Sequence, residues 1–149
     1  MSYRPYEDII SEASGQSTAT KVALLNMTGL TIPKNTPVSI DDNGRLKLVD
    51  VSDGLDAFRF QGLTEDDIPD GEYGDVVKAG KVANVISSFA FGDNLFVGKD
   101  GNLTNSTPDE GSFGFVSGDY VLRVGAVARN DINPSQKDYL LSILLVGQL

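Results

Sequence analysis

The stretch Phe89–Val127, FAFGDNLFVGKDGNLTNSTPDEGSFGFVSGDYVLRVGAV, decides the fold class. Apolar and polar residues alternate through Leu95–Val97 and again through Tyr120–Ala128, the period of a half-buried strand. Between them lie Asp100-Gly101, a tight-hairpin signal, and the Gly-rich loop Pro108–Gly118. That loop carries Phe113 and Phe115, both expected to face the core. On the second strand Tyr120, Leu122, Val124 and Ala126 share one face, and Val121, Arg123, Gly125 and Val127 the other. No nucleophile in the stretch stands beside a base. It reads as a segment that builds a surface.

The same texture extends outward in both directions. Val22 and Leu24 begin a first strand, and Asn26–Gly29 reads as its turn. Pro33 and Pro37 sit where strands start or run along an edge. Asp41-Asp42-Asn43-Gly44 is a hairpin turn, followed by Leu46 and Leu48 alternating with Arg45 and Lys47. Ala57–Leu63 alternates Phe58 and Phe60 with Arg59 and Gln61 and reads as a strand. Glu65–Glu72 is an acidic loop. Val76–Val82 reads as two short strands around a Gly turn, and Val82, Val85 and Ile86 carry on toward Phe91.

Tyr139–Val146 (YLLSILLV) is apolar on both faces. An antiparallel sheet usually keeps one face wet, so this strand is central in a sandwich or covered by another subunit. Tyr139, Leu141, Ile143 and Leu145 are the candidate oligomer interface. Strands at this spacing predict an all-β fold, a compact antiparallel β-sandwich or β-barrel.

A length of 149 residues suits one domain. Residues 1–20 read as a short N-terminal arm and residues 21–149 as a single β-domain. In the arm, Pro5 opens a short helix with Glu7 and Asp8 in its first turn, and Gly15 ends it. Such a piece is too short to be stable alone. It packs on the domain or orders on a partner.

Asn35–Leu46 (NTPVSIDDNGRL) and Gly92–Leu103 (GDNLFVGKDGNL) echo one another. Val38 aligns with Leu95, Ile40 with Val97, Asn43-Gly44 with Asp100-Gly101, and Leu46 with Leu103. Two readings are open. Any two hairpins with the favoured turn look alike, or two related hairpins are placed pseudo-symmetrically in a barrel.

Composition narrows the function classes. The net charge of −9 leaves no basic face to neutralise phosphates, so nucleic acid is not an expected partner. The chain has no His and no Cys. It therefore lacks the commonest general base, the commonest zinc ligands and any disulfide framework. No catalytic residue, metal or cofactor is expected, and the chain does not read as an enzyme. Asp41/Asp42 and the Glu65–Glu72 cluster are the candidate paired carboxylates for an acid–base role, and both fall in turns that favour Asp for backbone reasons. Asp41-x-Asn43 starts like an EF-hand calcium loop, but position five is Arg45 and position twelve is Ser52 where that loop has a bidentate Glu. The N-terminus shows no signal-peptide pattern, and the longest apolar run is too short to span a bilayer, so no membrane partner is expected.

Several segments together carry a resemblance: Val22–Gly29 (VALLNMTG), Ile32–Val38 (IPKNTPV), Asp70–Val82 (DGEYGDVVKAGKV), Gly92–Thr104, Pro108–Gly125 and Asn133–Leu140 (NPSQKDYL). The chain resembles small virion proteins of tailed bacteriophages, of the head decoration (cement) or head-fibre type. Similar modules recur in tail and baseplate proteins. The resemblance implies a structural protein without catalytic residues. It would be made in the host cytoplasm and be a homotrimer on the outer capsid surface, bound to the major capsid protein. An arm that clamps coat subunits is implied too, with Tyr3, Arg4, Tyr6, Ile9 and Ile10 as the capsid contacts. The other reading is a receptor- or glycan-binding module of a tail fibre or baseplate, for which the Phe113/Phe115 loop is the place to look.

Overall fold

Two hairpins mark the ends of one long sheet in the computed structural model, which describes residues 18–149. The strands are β1 (Thr18–Leu25), β2 (Pro37–Ile40), β3 (Leu46–Leu48), β4 (Phe60–Thr64), β5 (Tyr73–Val85), β6 (Asn94–Val97), β7 (Leu103–Thr104), β8 (Tyr120–Arg129) and β9 (Lys137–Gln148). A single turn of helix, α1 (Gly54–Phe58), precedes β4. The strand order is β3-β2-β4-β5-β9-β8-β6-β7, with β1 paired to β5 off this path. All these pairings are antiparallel, and the sheet curls into a half-barrel. The all-β antiparallel expectation holds. β1 starts at Thr18, inside the stretch read as an arm; the rest of that arm lies outside the described residues.

The sequence echo is a structural repeat. Ile40 pairs with Leu46 across the first hairpin, and Val97 pairs with Leu103 across the second. Each turn closes by the same pair of bonds. Gly44 N–H donates to Asp41 O and Asp41 N–H to Arg45 O; Gly101 N–H donates to Gly98 O and Gly98 N–H to Asn102 O. Gly44 and Gly101 both have positive φ, as the turn requires.

The match continues strand by strand. Pro37 pairs with Leu63 and Val38 with Gly62; Asn94 pairs with Ala126 and Leu95 with Gly125. A bulge follows both Val38 and Leu95. Leu63 pairs with Val77 and Thr64 with Val76, as Ala126 does with Leu140 and Val127 with Tyr139. Finally, Lys21 and Val22 of β1 lie beside Val77 and Val76, and Lys81 and Val82 lie beside Leu140 and Tyr139. Lys21-Val22-Ala23 and Lys81-Val82-Ala83 are the same tripeptide. Thus β1 to the first half of β5 is one unit, and the second half of β5 to β9 is the other. β5 serves as the last strand of the first and the first strand of the second.

Each unit brings its own apolar cluster. Ile32, Val38, Leu46, Ile68 and Val76, with Val22 and Leu24 against them, fill the first. Their counterparts Val82, Leu95 and Tyr139, joined by Phe89 and Leu103, lie in the larger core. That core also takes Val51, Leu63 and Val77 from the opposite side of the first unit's sheet. Backbones approach closely where the units bend. A Cβ on Gly62 would lie 2.0 Å from Val77 O, and one on Gly125 would lie 1.9 Å from Leu140 O.

Four expectations are corrected. Ala57–Leu63 is not one strand: Asp53 caps a helical turn by accepting from Leu55 N–H at 2.9 Å, and Ala57 and Phe58 belong to α1. That turn breaks the alternation, so Phe58 is exposed against the Tyr120 ring edge while Phe60 is buried. Val76–Val82 is not a hairpin but part of the continuous β5, because Gly80 pairs with Ala19 and Leu141 on its two sides. The strand ends at Val85, leaving Ile86 fully exposed instead of continuing to Phe91. On β8, Leu122 and Val124 share the core-facing side, but a bulge between Arg123 and Gly125 shifts the phase and places Val127 there instead of Ala126, which was read on their face.

The close approach at Gly125 gives a direct test. Gly125→Ala forces β8 and β9 apart and lowers stability by about 3 kcal/mol. Gly147→Ala, whose Cβ meets nothing within 4 Å on the same pair of strands, changes it by less than about 0.5 kcal/mol. Urea unfolding of the two variants measures both.

Candidate functional site

The acidic residues are the first place to look for chemistry, and the structure spends most of them on the backbone. Asp41 Oδ1 accepts from Asn43 N–H at 2.9 Å and Arg45 N–H at 3.0 Å. The Arg45 bond, ahead of the Asn43 bond, holds the Asp41 carboxyl below its usual pKa. Asp42 pairs with the Arg59 guanidinium at 2.7 Å. Asp67 accepts from Lys34 N–H and Asp70 from Gly29 N–H, so the acidic loop pins the segment before β2. Asp50 is lowered chiefly by the Ser52 hydroxyl, and Asp93 chiefly by the Asn105 amide, with Ala90 N–H second. Among the described residues no group of three or more His, Cys, Asp or Glu converges in a way that could hold a metal ion.

Two buried carboxylates are held by lysines. Lys47 Nζ lies 2.6 and 2.7 Å from the two oxygens of Asp56, which also accepts from Asp50 N–H. The Asp56 hydrogen bond is the main cause raising Lys47 above its usual pKa. Lys99 Nζ lies 2.8 and 2.7 Å from the oxygens of Asp119, which also accepts from Val116 N–H. Each pair ties a hairpin to the chain entering the next long strand. These are anchors with their hydrogen-bonding capacity largely used.

The Lys99 anchor borders a cleft of about 470 Å³ lined by Gly98, Asp100, Leu103, Thr104, Ser106, Phe113 and Phe115. The two phenylalanines part company there. Phe115 is buried in the core, as expected. Phe113 is 78% exposed, with φ of +50°, against the expectation that it faces the core. The reason is local: the turn from Ser112 to Phe115, closed by Phe115 N–H to Ser112 O, puts Phe113 in the left-handed region and points it away. A phenylalanine there costs strain and gains no burial. The cleft offers an aromatic ring, hydroxyls and a carboxylate, a surface for binding rather than a machine for reaction.

The other expected site residues fall as follows. Tyr3, Arg4, Tyr6, Ile9 and Ile10 lie outside the described residues. Tyr139 and Leu141 are buried in the chain's own core, and Ile143 and Leu145 pack against it from the same face. Tyr139 donates its hydroxyl to Ser87 Oγ at 2.8 Å, and burial raises its pKa. This face of β9 is therefore turned inward, with Ile143 and Leu145 half-buried. The outward face carries Leu140, Leu144 and Val146, all about half exposed. The sequence shows that both faces are apolar but not which one the half-barrel encloses. The Lys–Asp anchors were missed as well, since Lys99 and Asp119 are far apart in sequence and neither sits in a motif.

No protein-family model and no curated protein sequence matches this chain.

Lys99→Met leaves the buried Asp119 carboxylate with one donor and lowers stability by about 2–3 kcal/mol. Phe113→Gly removes an exposed ring from a left-handed position and leaves stability unchanged or raises it by up to about 1 kcal/mol. Thermal melts of the two variants check the opposite signs.

Proposed function

We propose that the protein is a structural subunit of a bacteriophage virion, a capsid decoration (cement) protein. It binds the outer surface of the mature head and bridges subunits of the major capsid protein. The observation that carries this reading is the pairing of an all-β, half-barrel domain with the turn-and-strand segments that resemble such proteins. Supporting it, the acidic side chains described above are committed to the chain's own backbone N–H groups and cations. The domain also leaves an apolar strip on the outward face of β9, Leu140, Leu144 and Val146, about half exposed.

A cement protein needs no chemistry. It stabilises the lattice by binding the mature head better than its precursor. Assembly as a homotrimer multiplies weak contacts into avidity. The N-terminal segment supplies the clamp, with Tyr3, Arg4, Tyr6, Ile9 and Ile10 as anchors, since aromatic and Arg residues dominate such contacts.

The second reading, a receptor- or glycan-binding module of a tail fibre or baseplate, is favoured by Phe113 alone, exposed beside its cleft. The exposed aromatics do not gather there. Phe58 lies against Tyr120, and Tyr73 lines a separate cleft with Asp66 and Asp75.

Co-sedimentation with mature and precursor capsids tests the proposal. The full chain pellets with mature heads and not with precursors. A chain lacking residues 2–17, cut just before β1, keeps its fold and loses at least about tenfold in affinity. A chain that ignores both capsid forms contradicts the reading; loss of cell attachment in Phe113→Ala, with head binding absent, would move the assignment to the tail.

A further inference from the structure

The two repeats differ in the connection that carries each hairpin into the next long strand. Ser39 pairs with Phe60 and Phe96 with Arg123, so these are matching positions. The first connection runs from Leu46 to Phe60; the second, from Leu103 to Arg123, is longer. Asp56 and Asp119, the two lysine-held carboxylates, stand equally far ahead of Phe60 and Arg123. The first unit makes its anchor with a single helical turn. The second adds the loop Pro108–Gly118, which the anchor does not need.

That added chain builds one wall of the cleft of about 470 Å³ and places the Phe113 ring on it. The volume is within the range of small-molecule sites, about 300–1,000 Å³. The loop is fixed in place. Gly111 N–H donates to Phe115 O and Ser112 N–H to Asp109 O. Gly114 packs on the Lys99 stem, where a Cβ would lie 3.3 Å from Lys99 Cγ. The exposed ring is thus held out by a left-handed backbone before any ligand arrives, which lowers the ordering cost of binding.

The other lining groups supply both donors and acceptors. Asp100 accepts from Asn102 N–H and Nδ2, two of a carboxylate's about four acceptor sites. Thr104 Oγ1 accepts from Ser106 N–H, and among the described residues neither hydroxyl proton has an acceptor. Lys99 Nζ gives two of its three protons to Asp119. This mixture selects the ligand. An anion would meet Asp100 in a chain of net charge −9. An ammonium would meet Lys99 Nζ. A wholly apolar ligand would strip water from Asp100 and the two hydroxyls without replacing its hydrogen bonds. A neutral sugar ring has an apolar C–H face for the negative π face of Phe113, and hydroxyls at its rim that both donate and accept.

We propose that this cleft is a subsite for a neutral saccharide, with one sugar ring stacked on Phe113 and its hydroxyls shared among Asp100, Thr104 and Ser106. A single stacked ring makes a weak site, which gains strength when many copies bind one surface. The subsite rests on the geometry of the cleft and not on the capsid reading; it suits a protein on a head or on a tail alike.

Saturation-transfer NMR on the full chain tests it, with methyl α-glucopyranoside and methyl β-galactopyranoside as probes and tetramethylammonium and sulfate as ionic controls. At least one glycoside receives saturation and shifts the amides of Ser106 and Gly111–Phe115. Phe113→Gly, which keeps its fold, lowers that signal at least about fivefold. Phe113→Tyr retains it, and so does Tyr73→Ala, which removes an exposed ring elsewhere. Transfer to neither glycoside, or equal transfer in Phe113→Gly, would overturn the proposal. Shifts of the same amides by tetramethylammonium or sulfate alone would also overturn it, assigning the cleft to an ion. Capsid co-sedimentation is read separately, so either proposal can fail without the other.

Discussion

Val76 and Val77 are neighbours on β5, so their side chains point to opposite faces of the sheet, and both are buried, at 0% and 1% exposure. Val76 belongs to the smaller cluster with Ile32, Val38, Leu46 and Ile68; Val77 belongs to the main core. An antiparallel strand with two dry faces needs cover on both. The covers are the loops around Ile32 and Ile68 on one side and the second repeat on the other. Burying each valine is worth about 1.5–3 kcal/mol, but position matters more than the sum. β5 is the strand that the two repeats share, and neither repeat has a complete sheet without it.

That arrangement explains what was legible in the sequence. Hairpin turns announce themselves, because Asn43-Gly44 and Asp100-Gly101 satisfy a local backbone demand that only a few residues meet. The all-β class followed from them. β5 did not. Gly80 looks like a turn, and does keep a positive φ, but stays within one continuous, bulged strand because Ala19 and Leu141 pair with it from both sides. The helical turn at Gly54–Phe58 hid behind an alternating Phe-Arg-Phe pattern, with only the Asp53 cap to betray it. Few identities mark the repeat outside the hairpins. Lys-Val-Ala is one of them; the backbone register carries the rest.

Surface assignments were the least legible part. Tyr139–Val146 is apolar on both faces, with Ser142 its one polar residue, so the periodicity marks two faces and ranks them only weakly. The curl of the half-barrel makes the choice, enclosing Tyr139 and Leu141 and leaving Leu140, Leu144 and Val146 outside. Phe113 and Phe115 present the same problem at shorter range. Two successive left-handed residues, Phe113 and Gly114, set the exposed ring apart from the buried one. Carboxylates were easier, since Asp41, Asp67 and Asp70 sit in turn sequences and all accept from backbone N–H groups, Asp41 within its own turn and Asp67 and Asp70 from the segment before β2. The proposed role on a capsid draws on this economy: polar groups are consumed internally, and apolar strips are left to face outward.

The central claim is that one shared strand makes two repeats into a single folding unit. Native-state hydrogen exchange, followed against urea for amides of β1 and β2 in the first repeat and of β6 and β8 in the second, tests it most directly. The account predicts that the slowest amides of both groups converge on one unfolding free energy with one urea dependence. Two separate free energies, with one repeat opening while the other stays closed, would contradict it.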